Sequence, residues 1–193
     1  MPSNILTIPN LLTFLRMALI PVFASLLFYG YSGWGLFVFI VAGVSDGVDG
    51  FIARRFKQES ELGTIIDPIA DKLLMTVAFV ILTLPNVLQP VRHLPVPFWV
   101  TAAVIGRDIL IVTVAGAINI MTGFRGFRPS WLGKLSTIVQ VVAVGLILVA
   151  AVSDYTAYLP TVYTIVVILA AASGFHYIFF VARLMNEEEE KGK

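Results

Sequence analysis

Four aspartates stand out as groups that could do chemistry: Asp46 and Asp49 in Asp46-Gly47-Val48-Asp49-Gly50-Phe51-Ile52-Ala53-Arg54, and Asp67 and Asp71 in Gly63-Thr64-Ile65-Ile66-Asp67-Pro68-Ile69-Ala70-Asp71. Each pair is spaced to share a helix face. At about 100° per residue, Asp46, Asp49, Gly50 and Ala53 fall within a stripe roughly 100° wide, and Asp67 and Asp71 within about 40° of one another. Four like charges in a low dielectric repel so strongly that some would keep their protons unless a cation neutralised them. The chain has no Cys, and no His lies near the acids, so the ligands on offer are all hard oxygens. Such a set selects Mg²⁺ or Mn²⁺ over Zn²⁺ or Cu²⁺. Two divalent ions balance four carboxylates, and a two-metal site suits in-line displacement at phosphorus. Gly50 and Ala53 remove bulk beside the acids, leaving room for a ligand. Arg54, just off the stripe, can grip a phosphate in bidentate fashion.

The elements that must position these acids follow from composition. Of 193 residues, 58% are hydrophobic and 13% charged, with a mean hydropathy of +0.91; a soluble domain carries about 25% charged residues. The solvent for so much apolar surface is lipid. Low charge and abundant aromatics exclude disorder, and a net charge of +1 offers no basic field for nucleic acid. Apolar runs long enough to cross roughly 30 Å of hydrocarbon cover residues 11–29, 34–55, 65–84, 97–121, 131–152 and 158–183. Turn-like segments separate them at 30–33, 58–63, 85–95, 122–130 and 153–157. The expected fold is therefore an all-α integral membrane protein with six transmembrane helices. It forms a single catalytic domain over residues 1–186 with a charged, solvated tail at 187–193. No basic residue precedes Arg16 and no small-residue cleavage site follows the first run, so that run is expected to be retained rather than removed as a signal peptide.

Orientation follows from the basic residues. An even number of spans puts both termini on one side, and that side holds Arg54, Arg55, Lys57, Arg125, Arg128, Lys134, Arg183, Lys191 and Lys193; the opposite loops hold Arg92. The positive-inside rule makes the termini cytoplasmic, in the inner membrane of a bacterium-like cell. A short connection makes the second and third helices antiparallel neighbours, with both acidic stripes toward the cytoplasmic end. The four carboxylates then converge in a cavity that lipid enters sideways.

Eight charged side chains fall inside or near the ends of spans: Arg16, Asp46, Asp49, Asp67, Asp71, Lys72, Arg107 and Asp108. Each costs at least about 2.5–3.5 kcal/mol at a bilayer centre, so they must face one another, a metal or water. Arg107 and Asp108 can form a structural ion pair or help bind an acceptor. Lys72 can offset the charge of Asp71, and Arg16 can snorkel to the headgroups. Asn10 and Thr13 could cap the first helix or touch a ligand. Pro68 either opens the third helix or sits inside one that began earlier. Trp34, Trp99 and Trp131 lie near helix ends, where aromatic belts occur.

Asp46, Asp49, Gly50, Ala53, Arg54, Gly63, Asp67 and Asp71 together resemble, without a gap, the pattern D-x2-D-G-x2-A-R-x8-G-x3-D-x3-D of the CDP-alcohol phosphatidyltransferase family. The six-helix plan resembles that family over nearly the whole chain. The resemblance implies transfer of a phosphatidyl group from CDP-diacylglycerol to an alcohol with release of CMP, using Mg²⁺ or Mn²⁺, in a homodimer. It implies that Asp46, Asp49 and Asp67 bind the first metal, that Asp46, Asp67 and Asp71 hold the second, and that Asp71 is the general base. Gly50, Arg54 and Ser60 match positions that touch the nucleotide, and Gly63 permits the tight turn into the third helix. The phospholipase-D-like route to the same lipids needs His-x-Lys, and neither His93 nor His176 has Lys two residues later.

The opening Ile8-Pro9-Asn10-Leu11-Leu12-Thr13-Phe14-Leu15-Arg16, followed by Pro21, is similar to the start of phosphatidylglycerophosphate synthases, whose acceptor is glycerol 3-phosphate. Gly133-Lys134-Leu135-Ser136-Thr137 and Gln140 also resemble that subgroup, although the second Arg often found eight residues after position 107 is here Ala115. A phosphorylated acceptor needs cations near the metals, and Arg107, Lys134 and Arg16 are the candidates. Arg107-Asp108, Phe127-Arg128-Pro129-Ser130 and the segment from Lys134 to Gln140 equally resemble CMP-forming cardiolipin synthases, which use phosphatidylglycerol. Glycerol 3-phosphate is the preferred acceptor on this reading, and a lipid alcohol the alternative. A membrane ion or proton transporter is the reading from another class, since intramembrane acids also line ion paths. It leaves Gly50, Ala53, Arg54 and Gly63 without explanation.

Overall fold

The structure, a computed structural model, describes residues 8–56, 61–85, 87–88, 93–122 and 131–191. Within these, the side chains of 8–10, 48–56, 61–65, 67–68, 117–122 and 182–191 lie outside the description. The described residues form six helices and no strand: α1 (Ile8–Phe28), α2 (Ser32–Phe56), α3 (Glu61–Thr83), α4 (Phe98–Thr122), α5 (Trp131–Ser153) and α6 (Leu159–Lys191). The all-α expectation holds. Long Leu, Val, Ile and Ala runs leave the backbone little choice in lipid, where each N–H and C=O must be satisfied within the segment.

Among the described residues, four helices are long and apolar enough to cross a membrane, over Leu11–Phe28, Phe98–Gly116, Trp131–Ser153 and Leu159–Val181; α2 contributes a shorter apolar stretch, Ser32–Gly47. Large apolar side chains such as Trp34, Phe98, Trp131 and Phe179 stand more than 60% exposed, which water would penalise and acyl chains would not. Trp34, Trp99 and Trp131 each fall within the first turn of a helix, as a membrane-interface belt requires.

Several boundaries differ from the sequence reading, the first helix among them, which begins at Ile8 rather than at residue 11. The third helix begins at Glu61, four residues before the expected start, and runs on through Pro68, so Pro68 does not open it. The sixth continues to Lys191 through the Glu187–Glu190 run, because Glu is a good helix former and no Pro or Gly intervenes before Gly192. Asn10 and Thr13 lie within α1, which starts at Ile8, so neither caps it.

By internal packing the helices fall into two compact units, one comprising Met1–Val96 with Val144–Ala157, the other Pro97–Ala143 with Tyr158–Lys193. In the first, α1 packs against both α2 and α3. Its turn into α2 is a Schellman motif: Gly30 takes φ 79°, Gly30 N–H donates to Leu27 O at 2.9 Å, and Tyr31 N–H donates to Leu26 O at 2.8 Å. The chain then runs back along α1 in a fixed register. Leu27 meets Gly35, Phe23 meets Phe39 with ring centroids 6.0 Å apart, and Arg16 meets Asp46. At Gly35 the helices approach so closely that an added Cβ would sit 2.5 Å from Leu27 Cδ2. The buried stripe of α1 is Thr13, Arg16, Ile20, Phe23 and Leu27, at alternating three- and four-residue spacing. Beyond α3, Val96 N–H donates to Leu82 O at 2.9 Å, tying the connecting segment back onto that helix.

In the second unit α4 packs on α6. Small residues, Ala102, Ala103 and Gly106 on one helix and Ala170, Ala171 and Gly174 on the other, line a groove of about 260 Å³ between them. The stripe that α6 buries runs Leu159, Tyr163, Val166, Ala170, Ser173, Tyr177 and Val181. Such small residues let membrane helices approach closely where no hydrophobic force drives them together.

Candidate active site

Two of the four motif acids have described side chains. Asp46 lies on the fifteenth residue of α2 and Asp71 on the eleventh of α3, and both helices rest on α1. Asp49, Gly50, Ala53 and Arg54 continue α2, and Gly63 and Asp67 belong to the first two turns of α3; their backbone is helical and their side chains lie outside the description. Ser60 lies outside the described residues altogether. Among the described residues no group of three acidic, His or Cys side chains is assembled.

The described geometry centres on Arg16. Its side chain is 1% exposed, and Nη1 lies 2.5 Å from Asp46 Oδ1, while the Asp46 side chain is 48% exposed. Arg16 therefore does not snorkel outward. It occupies the buried stripe of α1, one turn from the buried Thr13, and meets the first acid of the motif. A guanidinium buried among apolar helices is tolerable only with a counter-charge in contact, which Asp46 supplies through one carboxylate oxygen. The other oxygen is not part of that pair, and half of the side chain is open to its surroundings. A hard, partly accessible carboxylate fits the donor set that Mg²⁺ or Mn²⁺ prefers. Asp71 is partly buried and has a polar partner of its own.

A second polar cluster lies in the other unit. Arg107 Nη1 donates to Asp108 Oδ1 at 2.6 Å, Nε and Nη2 donate to Ser173 Oγ at 3.2 and 2.9 Å, and Nη2 also donates to Gly133 O at 3.3 Å. One guanidinium thus joins α4, the start of α5 and the middle of α6. Lys134, the residue after Gly133, is exposed. One turn further, Ser136 and Gln140 are buried together, Gln140 Nε2 donating to Ser136 Oγ at 3.4 Å. The structure thereby brings Arg107 to the helix start that carries Lys134. It also realises the Arg107–Asp108 ion pair.

Sequence reasoning missed Ser173. Its signal was there: a polar residue inside Ala170-Ala171-Ala172-Ser173-Gly174, at a position where the buried stripe of α6 needs a side chain.

Comparison with known proteins decides the family. A sequence model of the family described as CDP-alcohol phosphatidyltransferase matches residues 6–186. The chain belongs to the CDP-alcohol phosphatidyltransferase family. It is 31% identical over 185 residues to a protein of Mycobacterium tuberculosis named probable phosphatidylglycerophosphate synthase, covering 91% of this chain and 82% of that one. It is 32% identical over 196 residues to the CMP-forming cardiolipin synthase of Homo sapiens, covering 92% of this chain and 62% of the relative. It is also 32% identical over 170 residues to a cardiolipin synthase (CMP-forming) / mitochondrial hydrolase fusion protein of Schizosaccharomyces pombe, covering 80% of this chain and 27% of that protein. The chain thus spans only part of several of its curated relatives. CDP-alcohol phosphatidyltransferases are transferases of phospholipid synthesis, and the transporter reading of the buried acids gives way to this family. Its relatives bear both synthase names.

Proposed function

We propose that the chain transfers the phosphatidyl group of CDP-diacylglycerol to glycerol 3-phosphate, giving phosphatidylglycerophosphate and CMP. The observation that carries the acceptor choice is the cationic cluster of the second unit, where Arg107 bonds the carbonyl just before Lys134. A small phosphorylated alcohol needs fixed positive charge, and a guanidinium anchored on several sides offers it at little further entropy cost.

The chemistry follows from the chain's own residues. The acceptor hydroxyl is a poor nucleophile at neutral pH, so a carboxylate within hydrogen-bond reach must take its proton. On this reading Asp71 is that base. The hydroxyl oxygen bonds to the phosphatidyl phosphorus as the bond to CMP breaks, and CMP leaves on the opposite side. Mg²⁺ or Mn²⁺ held by Asp46, Asp49, Asp67 and Asp71 would supply charge neutralisation for the pyrophosphate and a lowered hydroxyl pKa. Gly50, Arg54 and Ser60 contact the nucleotide portion, and Ala53 and Gly63 belong to the same substrate-binding surface. Arg16 acts on this chemistry through Asp46, keeping one carboxylate oxygen fixed. We further propose six spans with cytoplasmic termini in the inner membrane, and a homodimer.

The names of the human and S. pombe relatives favour a second reading, a CMP-forming cardiolipin synthase with phosphatidylglycerol as acceptor. One experiment separates the two. Purified protein is incubated with labelled CDP-diacylglycerol, divalent metal and either glycerol 3-phosphate or phosphatidylglycerol. Labelled phosphatidylglycerophosphate supports the first reading, and labelled cardiolipin replaces it with the second.

A further inference from the structure

Ser173 takes no part in the acidic motif and carries no charge, yet it is fully buried and receives two of the Arg107 N–H groups. Two donors from one edge of a guanidinium converging on a single oxygen fix the rotation of its plane as well as its position. A guanidinium has five N–H groups. Four are accounted for by the contacts with Ser173, Asp108 and Gly133, and the fifth, on Nη1, is uncommitted among the described residues. The Arg107 side chain is 9% exposed and borders the groove between α4 and α6. A tie between α4 and α6 alone does not call for a buried charge. Their facing Ala and Gly residues already permit close approach, and a neutral hydrogen bond would join them at a smaller desolvation cost.

We infer that Ser173 is a positioning residue for the acceptor: it sets the orientation in which Arg107 presents its remaining N–H to an anionic group, at the helix start that bears Lys134. The inference rests on the acceptor role proposed above for Arg107. Asp108 balances the charge, Gly133 links the guanidinium to α5, and Ser173 decides which way it faces.

The test is steady-state kinetics on the full-length protein with glycerol 3-phosphate and CDP-diacylglycerol, comparing wild type, Ser173→Ala, Ser173→Thr, Arg107→Ala and the Ser173→Ala/Arg107→Ala double variant. Ser173→Ala is expected to raise KM for glycerol 3-phosphate about tenfold, the effect of losing a hydrogen bond to a charged group. KM for CDP-diacylglycerol should stay within about twofold, because uniform binding is lost only for the acceptor. Ser173→Thr, which keeps the hydroxyl, restores most of the loss. In the Arg107→Ala background, Ser173→Ala adds nothing further, since its effect passes through the missing guanidinium. Should Ser173→Ala not yield folded protein, Ser173→Cys makes the same comparison with a side chain of similar size and weak acceptor strength. The inference is overturned if Ser173→Ala leaves the acceptor KM unchanged, raises both KM values alike, or keeps its full effect without Arg107. An unchanged acceptor KM in Arg107→Ala instead overturns the acceptor role of Arg107 itself, a separate result.

Discussion

The two units each bury an arginine against an aspartate, and they do so in opposite ways. In the first, Arg16 reaches across from α1 to Asp46 on α2, and the arginine is enclosed while the acid is half open. In the second, Arg107 and Asp108 are neighbours on one helix, and the arginine uses three further donors on α5 and α6. The acid of the first pair belongs to the family motif; the acid of the second does not. An intramembrane cation can thus be enclosed against a half-open acid on another helix, or be paired with the acid beside it while its other donors reach neighbouring helices. The residue types are the same, and only the fold assigns the role.

The sharpest way to break this comparison is through the acids. Asp71→Asn should lower turnover by about 10²–10⁴-fold, the usual worth of a general base, while CDP-diacylglycerol binding survives. Asp46→Asn should raise the divalent metal concentration needed for activity or abolish it. Asp108→Asn, by contrast, should leave turnover within about tenfold, since no proton moves through it. Turnover assays across a metal titration read all three. If Asp108→Asn proves as inactive as Asp71→Asn, the second pair is part of the chemistry and the distinction fails.

Next in size is an asymmetry in stability. Asp46→Ala removes a counter-charge from an enclosed guanidinium and should cost up to about 3 kcal/mol, the low end for breaking a buried pair because Asp46 is half exposed. Arg16→Met replaces the guanidinium by an apolar side chain of similar length and leaves behind only the half-exposed Asp46, so it should cost less than Asp46→Ala. Arg107→Met does not share that tolerance: the buried Ser173 oxygen loses both donors, at about 1–3 kcal/mol. Thermal unfolding in detergent measures each. Equal losses for Arg16→Met and Arg107→Met would mean that the two arginines hold their units in the same way.

The helices were legible in the sequence because apolar runs and Gly or Pro breaks are local signals. Gly30 ends α1 where the 30–33 break was read, and α4 and α5 begin within a residue of expectation. The start of α3 was less legible. Glu61 and the residues up to Ile65 are not uniformly apolar, so a reading by hydropathy began too late, and Pro68 pulled it the same way. The end of α6 was missed because a run of Glu reads as a solvated tail although it favours helix. For the site, residue types and spacing pointed to the acids, yet the partners of Arg16 and Arg107 were not readable as pairs. Arg16 and Asp46 meet because of a register set by a distant turn and by Gly35, and Ser173 meets Arg107 across 66 positions of chain. Both arginine contacts did leave a trace: Arg16 and Ser173 interrupt largely apolar stripes at positions that a helix must bury.

The smallest expected effects test whether the two units are also packed differently. Gly35→Ala would place a methyl 2.5 Å from Cδ2 of the fully buried Leu27, so that side chain or the two helices must shift. Overpacking of this kind costs about 1–3 kcal/mol, and it would push apart the register that brings Arg16 to Asp46, so a raised metal requirement should accompany the lower melting temperature. Gly174→Ala would place its methyl 4.0 Å from Arg107 Cγ, an ordinary contact beside an open groove. Helix propensity then dominates, and the variant should be neutral or more stable by up to about 1 kcal/mol. If Gly174→Ala instead destabilised the protein as much as Gly35→Ala, the groove between α4 and α6 would be closed in the folded protein. Arg107 would then be sealed from any ligand approaching along it.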